Sequence, residues 1–381
     1  MTHIKGFKVR IFPTNEQKIL ISKHFGACRF IWNYFLNLEI SKRNNNENYL
    51  FPFEMMKLLK PLKQTEYPWL YEVSNGSLQV TITQLWNAYN RFFKGLAKYP
   101  KFKKKKTGLQ SYPVCSAKTY FLDEVVHVPK IGKVKYKTDL KIPLGNKIHF
   151  VRVVIKKECN EKYFLCFNYE CENQALCLTD KIMGIDLGIK ETAVVAFDDE
   201  KFVYHNINKS KQIKELESKI KYHQKSLSRK YETNHKISKT YESTKNIEKE
   251  KQKIRLLNKK IRDIRSNYIH QITNELINKK PKRIVMETLN VNSLVKNKYL
   301  AKRILEQSFY EFIRVMKYKC QWNGIQFVQA PLYFPSSKTC SNCGHIRKNL
   351  SIFERTFVCP ECNFTIDRDY NAAINLMRYK G

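Results

Sequence analysis

The pattern of cysteines near the C-terminal end constrains the fold of this chain more than any other feature. The first C-x-x-C pair is Cys340 with Cys343. The second pair, Cys359 with Cys362, follows after a gap of 15 residues. Each pair can supply two thiolates from one tight turn, and four thiolates complete the tetrahedral shell of structural Zn²⁺. We therefore predict a zinc ribbon over residues 335–363, and its closed shell leaves no open position for a substrate.

The composition favours a polyanionic partner and a reducing compartment. The 70 Lys and Arg residues outnumber the 34 Asp and Glu residues, which gives a formal net charge of +36. A compact chain with this surplus repels itself unless an anionic partner neutralises it. The odd count of 11 cysteines argues against a disulfide framework, and no apolar run approaches the ~20 residues of a membrane span. Secreted and integral membrane proteins are therefore poor fits, and we expect a cytoplasmic protein.

Alternating apolar and polar residues predict a small β-barrel or sheet module. Residues 4–12 alternate loosely, with apolar side chains on one side and basic side chains on the other. The same period of two returns between residues 120 and 178, where turn residues separate the segments. We assign residues 1–10 and 120–180 to this module, so the residues between these segments form an insertion.

The inserted residues 11–119 are predicted to be mostly helical. The sequence Thr14-x-x-Gln17 resembles a capping box that begins a helix. Gly26 is expected to interrupt the helical pattern, so we predict one helix before it and a second, aromatic-rich helix after it. Residues 77–93 place apolar side chains at helical spacing and predict a further helix.

Strands and helices alternate from about residue 180 onward, which indicates an α/β domain. The predicted elements are two strands over 182–198, a helical hairpin over 209–277, a buried strand over 283–286, an amphipathic helix over 303–322, a strand over 324–329 and a last short helix. The zinc ribbon interrupts this domain, which we place at residues 181–334 and 364–381.

Acidic residues that follow predicted strands form the second strong signal. Asp186 ends an apolar strand, and Glu287 follows the buried strand of residues 283–286. Asp367 and Asp369 lie just past the fourth cysteine. A carboxylate at the end of a core strand is costly unless it is solvated, paired or bound to a metal. If three such carboxylates meet at one end of a sheet, they would hold two Mg²⁺ ions that clamp the oxygens of a phosphodiester. Helix capping and loop anchoring are the alternatives for each acid.

Several segments follow one another in an order that identifies a family. They are Phe7-Lys-Val-Arg-Ile-Phe-Pro-Thr14, Phe25-Gly-Ala-Cys-Arg-Phe-Ile-Trp-Asn33, Tyr99-Pro-Lys-Phe-Lys103, Gly184-Ile-Asp186-Leu-Gly-Ile, Val285-Met-Glu287, the four cysteines and Asp367-Arg-Asp369-Tyr-Asn-Ala-Ala. This set resembles the split RuvC nuclease of the TnpB family, the transposon-encoded, RNA-guided endonucleases akin to the type V CRISPR effectors. Any one segment is moderately specific, whereas the whole set in this order is highly specific.

The resemblance implies a cleavage site and its partners. Asp186, Glu287 and Asp369 would be the catalytic acids that bind two Mg²⁺ ions, and Asp367 would be a neighbour that tunes Asp369. The family also implies a guide RNA derived from the transposon end and a double-stranded DNA target, cut beside a short flanking motif. We expect one protein per RNA, in a prokaryotic cytoplasm and at the nucleoid when the protein is bound to DNA.

The resemblance also implies an architecture. The expected fold is an α/β RNase H-like (RuvC) nuclease domain with an inserted zinc ribbon, a β-barrel wedge domain and a helical recognition lobe. The expected bounds are 1–10 and 120–180 for the wedge, 11–119 for the recognition lobe, 181–334 and 364–381 for the nuclease, and 335–363 for the ribbon. Residues 336–339, which enter the ribbon, are expected to act as a lid or a strand contact.

Two further segments are candidates for contacting nucleic acid. The basic stretch 101–106, with Tyr99 and Phe102 interleaved, suits a groove that follows a phosphate backbone while bases stack on aromatic rings. Gln79 and Thr83 lie one turn apart on the helix predicted over residues 77–93, and they are candidates for contacting the DNA duplex that flanks the target. A solvated loop and a plain helix surface are the respective alternatives. The candidate residues are Lys101, Lys103, Lys104 and Lys105 in the first segment, and Gln79 and Thr83 in the second.

Three rival functions remain open from the sequence. An RNA-guided repressor without nuclease activity would be expected to lack one or more of the acids. A transposase that performs strand transfer would use the same acids, but the ribbon and the N-terminal segments favour guided cutting. A purely structural zinc-ribbon factor leaves the acids at the strand ends unexplained. We therefore expect an RNA-guided DNA endonuclease with Mg²⁺, structural Zn²⁺ and guide RNA as cofactors.

Overall fold

The computed structural model describes residues 2–105, 110–138, 142, 150–157, 161–172, 177–239, 243–351 and 354–380. The chain divides into two compact units, Met1–Glu172 and Asn173–Gly381. Each unit has its own sheet and its own apolar core. Within the described ranges, no helix is both long enough and apolar enough to span a bilayer.

The first unit is an antiparallel sheet with helices inserted after its first strand. The helices are α1 (Asn15–Asn44), α2 (Pro52–Thr65) and α3 (Asn75–Phe93). The strands are β1 (Thr2–Phe12), β2 (Gln110–Val114), β3 (Tyr120–Phe121), β4 (Val125–Val128), β5 (Gly132–Lys137), β6 (Phe150–Lys157) and β7 (Tyr163–Glu172). The strand order is β2-β6-β7-β1-β5-β4-β3, so β1 lies between β7 and β5. Closure of this sheet into a barrel stays a prediction.

Helix α1 is continuous through Gly26, so the predicted break at this residue is wrong. A glycine inside a helix costs about 1 kcal/mol relative to alanine. The burial of neighbours such as Phe25 and Ile31 outweighs this cost. The predicted capping box is confirmed, because Thr14 Oγ1 accepts a hydrogen bond from Gln17 N (3.3 Å) and Gln17 Oε1 accepts one from Thr14 N (3.0 Å).

Strand β2 lies inside the segment 11–119 that was predicted to be helical. It pairs antiparallel with β6, with Tyr112 opposite Ile155. Pro113 hides this strand in the sequence, because proline cannot donate a hydrogen bond to a neighbouring strand. It is tolerated here because β2 is an edge strand of the sheet. The inserted helices therefore end at Phe93, and the following chain returns to the sheet.

The second unit is a mixed sheet covered by helices. Its strands are β8 (Ile182–Leu187), β9 (Glu191–Phe197), β10 (Glu200–His205), β11 (Arg283–Glu287), β12 (Gln326–Ala330), β13 (Thr356–Val358) and β14 (Thr365–Asp367). Its helices are α4 (Lys211–Ser238), α5 (Lys245–Asn278), α6 (Val291–Leu294), α7 (Lys298–Gln307), α8 (Phe309–Asn323) and α9 (Arg368–Met377). The sheet order is β10-β9-β8-β11-β12, in which β8, β11 and β12 are parallel and β9 is antiparallel to both of its neighbours, β8 and β10.

Helices α4 and α5 form the predicted helical hairpin. An apolar seam of Ile213, Leu216, Ile220 and Ile261 joins them. Nearer the turn, the buried carboxylate of Glu250 accepts hydrogen bonds from three side chains of the two helices: His223 Nδ1 at 2.7 Å, Lys230 Nζ at 3.0 Å and Lys253 Nζ at 3.4 Å. The hairpin thus keeps its two helices together although most of its surface is charged.

The single helix predicted over 303–322 is two helices, α7 and α8. Ser308 separates them with a left-handed backbone (φ 56°) and serves as the C-cap of α7. The change of direction buries Ile304 from α7 and both Phe309 and Phe312 from α8 in the same core. The apolar spacing of 3.6 residues persists across the break, which is why the sequence alone did not reveal it.

Helix α9 packs directly against the central strand β8. A Cβ atom on Gly184 of that strand would overlap the backbone of Ala373 and Met377 in α9. Both Ala373 and its neighbour Ala372 are buried in this contact region. Glycine in the strand and alanine in the helix therefore allow the two backbones to approach closely.

The ribbon extends beyond its predicted end at residue 363. Strand β14 pairs antiparallel with β13, with Thr356 opposite Asp367. This short hairpin carries the second cysteine pair, and α9 begins immediately after it. The ribbon is therefore continuous with the helix that carries Asp369.

Candidate metal centres

Asp186, Glu287 and Asp369 line one cavity of 1,080 Å³ in the second unit. Asp186 lies near the end of β8, and Glu287 ends the neighbouring parallel strand β11. Met286 pairs with Ile185, so Glu287 comes level with Asp186 at the same edge of the sheet. Asp369 lies in the first turn of α9. The sheet register and the packing of α9 thus bring together three acids that are far apart in the sequence.

Burial and neighbouring negative charges raise the pKa of all three carboxyl groups. Burial raises the pKa of Asp186 well above its usual value, and the charges of Glu287 and Asp369 add to this rise. Burial also raises the pKa of Glu287 to about 7, with a further contribution from Asp369. Burial raises the pKa of Asp369, and the charge of Asp367 adds to the effect. Such a cluster is costly when all its members are ionised, and a divalent cation would relieve this cost.

The acids are spread more widely than the ligands of a single ion. In the described part of the chain, which includes all three acids, the cysteines are the one group of three or more metal-binding side chains whose ligand atoms all lie within 4.8 Å of one another. The ligand oxygens of the three carboxylates therefore do not all lie close enough together to surround a single ion.

The structure distinguishes the two late acids. Asp369 lines the cavity, whereas Asp367 is exposed and caps α9, with its Oδ1 accepting a hydrogen bond from Tyr370 N (2.9 Å). Asp367 also lies 3.5 Å from Lys201 Nζ. Its placement matches the role of a neighbour whose charge acts on Asp369. The identity of the third metal ligand stays a prediction, which this placement supports.

Cationic side chains surround the acids, and the sequence did not single them out. Arg355, Arg368 and Lys190 line the same cavity and lower the pKa of Asp369, against the larger effects of burial and Asp367. Ser336, at the start of the predicted lid, also lines the cavity and is buried. A phosphate approaching the acids would therefore meet positive charge at the walls. Arg355 lies in the ribbon, where basic residues have no sequence pattern that marks a site.

The four cysteine sulfurs form a cluster that fits one zinc ion. All four lie within 4.8 Å of one another, with 3.7 Å between Cys340 and Cys362 and 3.5 Å between Cys343 and Cys359. Tetrahedral zinc with Zn–S bonds of about 2.3 Å requires sulfurs about 3.8 Å apart. A backbone N–H of Phe364 lowers the pKa of Cys362 to about 6, whereas the neighbouring cysteines and burial raise the pKa of Cys343 to about 12. A bound zinc ion would hold all four sulfurs as thiolates. The donor set and spacing therefore suit structural Zn²⁺.

The two cysteine turns have the same backbone pattern. In the first, Cys340 N donates to His345 O (2.8 Å) and Gly344 N donates to Cys340 O (2.9 Å). In the second, Cys359 N donates to Phe364 O (3.0 Å) and Asn363 N donates to Cys359 O (3.1 Å). Gly344 and Asn363 occupy equivalent positions, and both have positive φ angles. Glycine and asparagine are the residues that tolerate this conformation.

Two buried asparagines of α9 tie the ribbon to the helix that carries Asp369. Asn371 Oδ1 accepts a hydrogen bond from Ser341 N (2.9 Å), and its Nδ2 donates to Thr339 O (2.7 Å). Asn375 Nδ2 donates to Ser336 O (2.8 Å) and to Thr339 O (2.7 Å). Sequence reasoning missed this link. Its signal is the spacing of the two asparagines, which places them on one face of a helix.

The basic segment of the first unit is fixed to α1. Trp32 Nε1 donates to Lys101 O (3.0 Å). Asn33 and Lys103 exchange two hydrogen bonds, Asn33 Nδ2 to Lys103 O (3.0 Å) and Lys103 N to Asn33 Oδ1 (2.8 Å). We call residues 101–105 the strap. Its four predicted lysines, Lys101, Lys103, Lys104 and Lys105, are exposed, and Lys106 lies outside the described residues.

The second predicted contact pair lies on α3. Thr83 is exposed, and its hydroxyl donates to Gln79 O (3.2 Å). Gln79 is half-buried. Both residues belong to the first unit, as the strap does. Their role in contacting DNA stays a prediction.

Comparisons with known proteins find family models and relatives that match this chain. Family models match at residues 1–48 (helix-turn-helix domain), 166–298 (the OrfB_IS605 transposase) and 309–376 (Cas12f1-like, TNB domain). A candidate RNA-guided DNA endonuclease of Streptomyces pristinaespiralis is 26% identical over 377 residues, which cover 98% of this chain and 88% of the relative. A relative of the same description from Escherichia coli K12 is 26% identical, with 99% and 92% covered.

A solved structure has the same overall fold. It is a Cas12f1 complex with sgRNA and target DNA, determined by cryo-electron microscopy. The match has a TM-score of 0.57 at 14% identity and covers 99% of each chain. The family model that matches residues 1–48 describes a helix-turn-helix domain. In this chain, the described part of that range contains strand β1 and the single helix α1.

Proposed function

The chain belongs to the TnpB family, and from this premise we propose that it is a transposon-encoded, RNA-guided DNA endonuclease. The observation that carries the proposal is the convergence of Asp186, Glu287 and Asp369 on one cavity at one sheet edge. The surplus of 36 positive charges suits a protein that binds RNA and DNA together. We further propose that the guide RNA derives from the transposon end, that one protein binds one RNA, and that the target is cut beside a short flanking motif.

The nuclease domain is proposed to be of the RuvC type. This assignment is supported by a mixed sheet whose central parallel strands, β8 and β11, supply the first two acids, while α9 supplies the third. The proposed wedge is the sheet of the first unit, with the inserted helices α1–α3 as the recognition lobe. The ribbon is proposed to accompany the nuclease domain in contacting nucleic acid.

The chain's own residues suggest how the site works. Asp186, Glu287 and Asp369 would hold two Mg²⁺ ions, which when bound would stabilise the attacking and leaving oxygens of the scissile phosphodiester. Arg355 and Lys190 place positive charge at the cavity wall, where the substrate phosphate is attracted and oriented. Because the acids act by holding metal, no protein nucleophile is needed. Water would be the nucleophile, and its attack is expected to yield a 5′-phosphate and a 3′-hydroxyl.

The first experiment is to sequence the RNA that copurifies with the full chain and then to assay cleavage with that RNA and Mg²⁺. Asp186→Ala, Glu287→Ala and Asp369→Ala are each expected to abolish cleavage, because each removes a metal ligand. Guide-RNA binding is expected to stay near normal, because the acids are proposed to hold metal ions rather than the guide. A filter-binding assay with the copurified RNA checks this second outcome.

Asp367→Ser is the matched control for Asp369→Ala. Serine preserves the N-cap of α9, so cleavage is expected to persist. Cleavage that survives in any of the three alanine variants would contradict the assignment of that acid. Guided binding without cleavage by the unaltered protein would favour a repressor, and joined DNA ends would favour a transposase.

A further inference from the structure

The first unit contains a cavity of 330 Å³ that the proposed cleavage site does not use. We propose that this cavity binds the base of a single unpaired nucleotide, with Phe102 of the strap as its stacking platform. The inference rests on the proposed function in one respect, since it takes nucleic acid as the partner. It adds a site at which the protein holds one nucleotide outside a duplex.

The strap presents its side chains from a fixed backbone. Its carbonyls at Lys101 and Lys103 accept hydrogen bonds from Trp32 and Asn33, and the amide of Lys103 donates to Asn33. Lys103 Nζ lies 3.7 Å from the centre of the Trp32 ring, which adds a cation–π contact. A segment tied down in this way loses little further freedom when it binds a ligand.

Phe102 is the aromatic side chain that this strap exposes. Its exposed fraction is 47%, and it lies at the cavity with Lys103 and Lys104 on its C-terminal side. A flexible loop could bury a phenylalanine, whereas the tethered backbone keeps this ring at the surface. An exposed aromatic ring beside lysines is the combination that single-strand binding proteins use for base stacking.

The walls of the cavity match a nucleotide in chemistry. Its lining combines apolar and aromatic side chains with amides, hydroxyls and cationic groups. Among the described residues that line it, none is acidic. The apolar and aromatic lining residues are Phe25, Cys28, Phe102, Tyr112, Pro113 and Val154, those with amide or hydroxyl groups are Thr81, Gln84, Gln110 and Ser111, and the cationic ones are Arg29, Lys103 and Lys104.

Size and charge select an unpaired nucleotide among anionic ligands. The volume is near the lower end of the range of about 300–1,000 Å³ for small-ligand sites, which admits one base with its sugar and excludes a duplex. Arg29 and the strap lysines suit the attached phosphate, and Gln84 and Gln110 can donate to and accept from a base edge. The lysines of the strap continue past the cavity to Lys105, so the ligand is expected to be part of a longer strand.

The test compares Phe102→Ala with Phe102→Trp in the full chain. The probes are fluorescent single strands of about 15 nucleotides, long enough to span a single-strand site, each with one central 2-aminopurine. Phe102→Ala is expected to weaken binding by about fivefold or more, because it removes the stacking platform. It should also abolish the quenching of 2-aminopurine fluorescence. Phe102→Trp retains a platform and is expected to bind within about twofold of the unaltered protein.

Phe53→Ala is the matched control. Phe53 is 68% exposed on α2 and has Lys57 Nζ 4.7 Å from its ring centre, but it does not line the cavity. Its removal should leave both affinity and quenching unchanged. Lys104→Gln provides a second comparison, because losing one phosphate contact lowers the salt slope by about 0.7. Phe102→Ala should leave that slope unchanged.

RNA and DNA versions of the probe separate the two sources of the nucleotide. If Phe102→Ala weakens binding of only the RNA probe or only the DNA probe, the site is assigned to that kind of strand. If it weakens binding of both probes, the site recognises the base whichever sugar is attached. Unchanged binding and quenching in Phe102→Ala, or an equal loss in Phe53→Ala, would overturn the proposal. The acid variants test cleavage separately, so failure at Phe102 leaves the proposed function standing.

Discussion

The pKa of Glu287 reflects the burial and negative charge of the acid cluster in the absence of a bound cation. Burial and the charge of Asp369 raise the pKa of Glu287 to about 7, compared with about 4.3 for an exposed glutamate. The folded chain therefore holds this proton more tightly than the unfolded chain does. The resulting stabilisation is complete below pH ~4.3 and is lost as the pH rises through about 7.

Glu287→Gln is therefore expected to stabilise the Mg²⁺-free protein at pH 8, by about 1–3 kcal/mol in the free energy of unfolding. At pH 4 the substitution should change little, because the native carboxyl group is then already protonated. Thermal unfolding at both pH values, without added Mg²⁺, measures the difference. The exposed Glu200 offers the control Glu200→Gln, which should shift neither midpoint. Equal midpoints for Glu287→Gln and the unaltered protein at pH 8 would contradict the expected cost.

At the scale of elements, the contact between α9 and β8 positions the third acid. Gly184→Ala would insert a methyl group where the backbone of α9 now lies, and overpacking of this kind typically costs about 1–3 kcal/mol. Because Asp369 lies in the first turn of α9, the displaced helix should move it away from Asp186 and Glu287. We expect a large loss of cleavage with the copurified RNA, while zinc content stays at that of the unaltered protein.

Gly26→Ala is the control for this substitution. Gly26 also lies in a regular element, but its Cβ position is open, so alanine should raise helix stability by up to about 1 kcal/mol. Cleavage should be unaffected. Full activity in Gly184→Ala would show that α9 can shift without moving Asp369.

Individual elements show where sequence patterns succeed and where they fail. The strands β8 and β9 follow from apolar runs, because most of their residues are buried. The hairpin of α4 and α5 follows from apolar residues at helical spacing, which form its seam. The breaks were less predictable: Gly26 lies inside a continuous helix, and Ser308 separates two helices. Tertiary burial decided both cases, and a local propensity cannot report tertiary burial.

The sequence predicted which acids belong to the candidate site, but it did not show that they lie close together in the fold. Asp186 and Glu287 stand out because each ends an apolar strand. They lie together because β8 and β11 pair in parallel with the register that brings Glu287 level with Asp186. This register cannot be read from the sequence. Asn371 and Asn375 were missed because their roles arise from contacts with the ribbon. Arg355 was missed because no sequence pattern marks it as part of the cavity.

At the scale of the whole molecule, the net charge of +36 governs how tightly the protein binds RNA. Each phosphate contact releases counterions, so six or more contacts should lower affinity by about 10³-fold or more between 50 and 200 mM salt. Equilibrium binding of the copurified RNA across a salt series measures this slope. An affinity that stays flat over the range would mean that the lysines lie away from the RNA.

The tie between the ribbon and α9 makes the proposed nuclease vulnerable to oxidants. Cys343 is exposed, and oxidised sulfur no longer serves as a thiolate ligand. Peroxide would therefore release the metal, loosen the turns that Asn371 and Asn375 hold, and free the start of α9. A cell under oxidative stress would lose DNA cutting without any change to the carboxylates themselves.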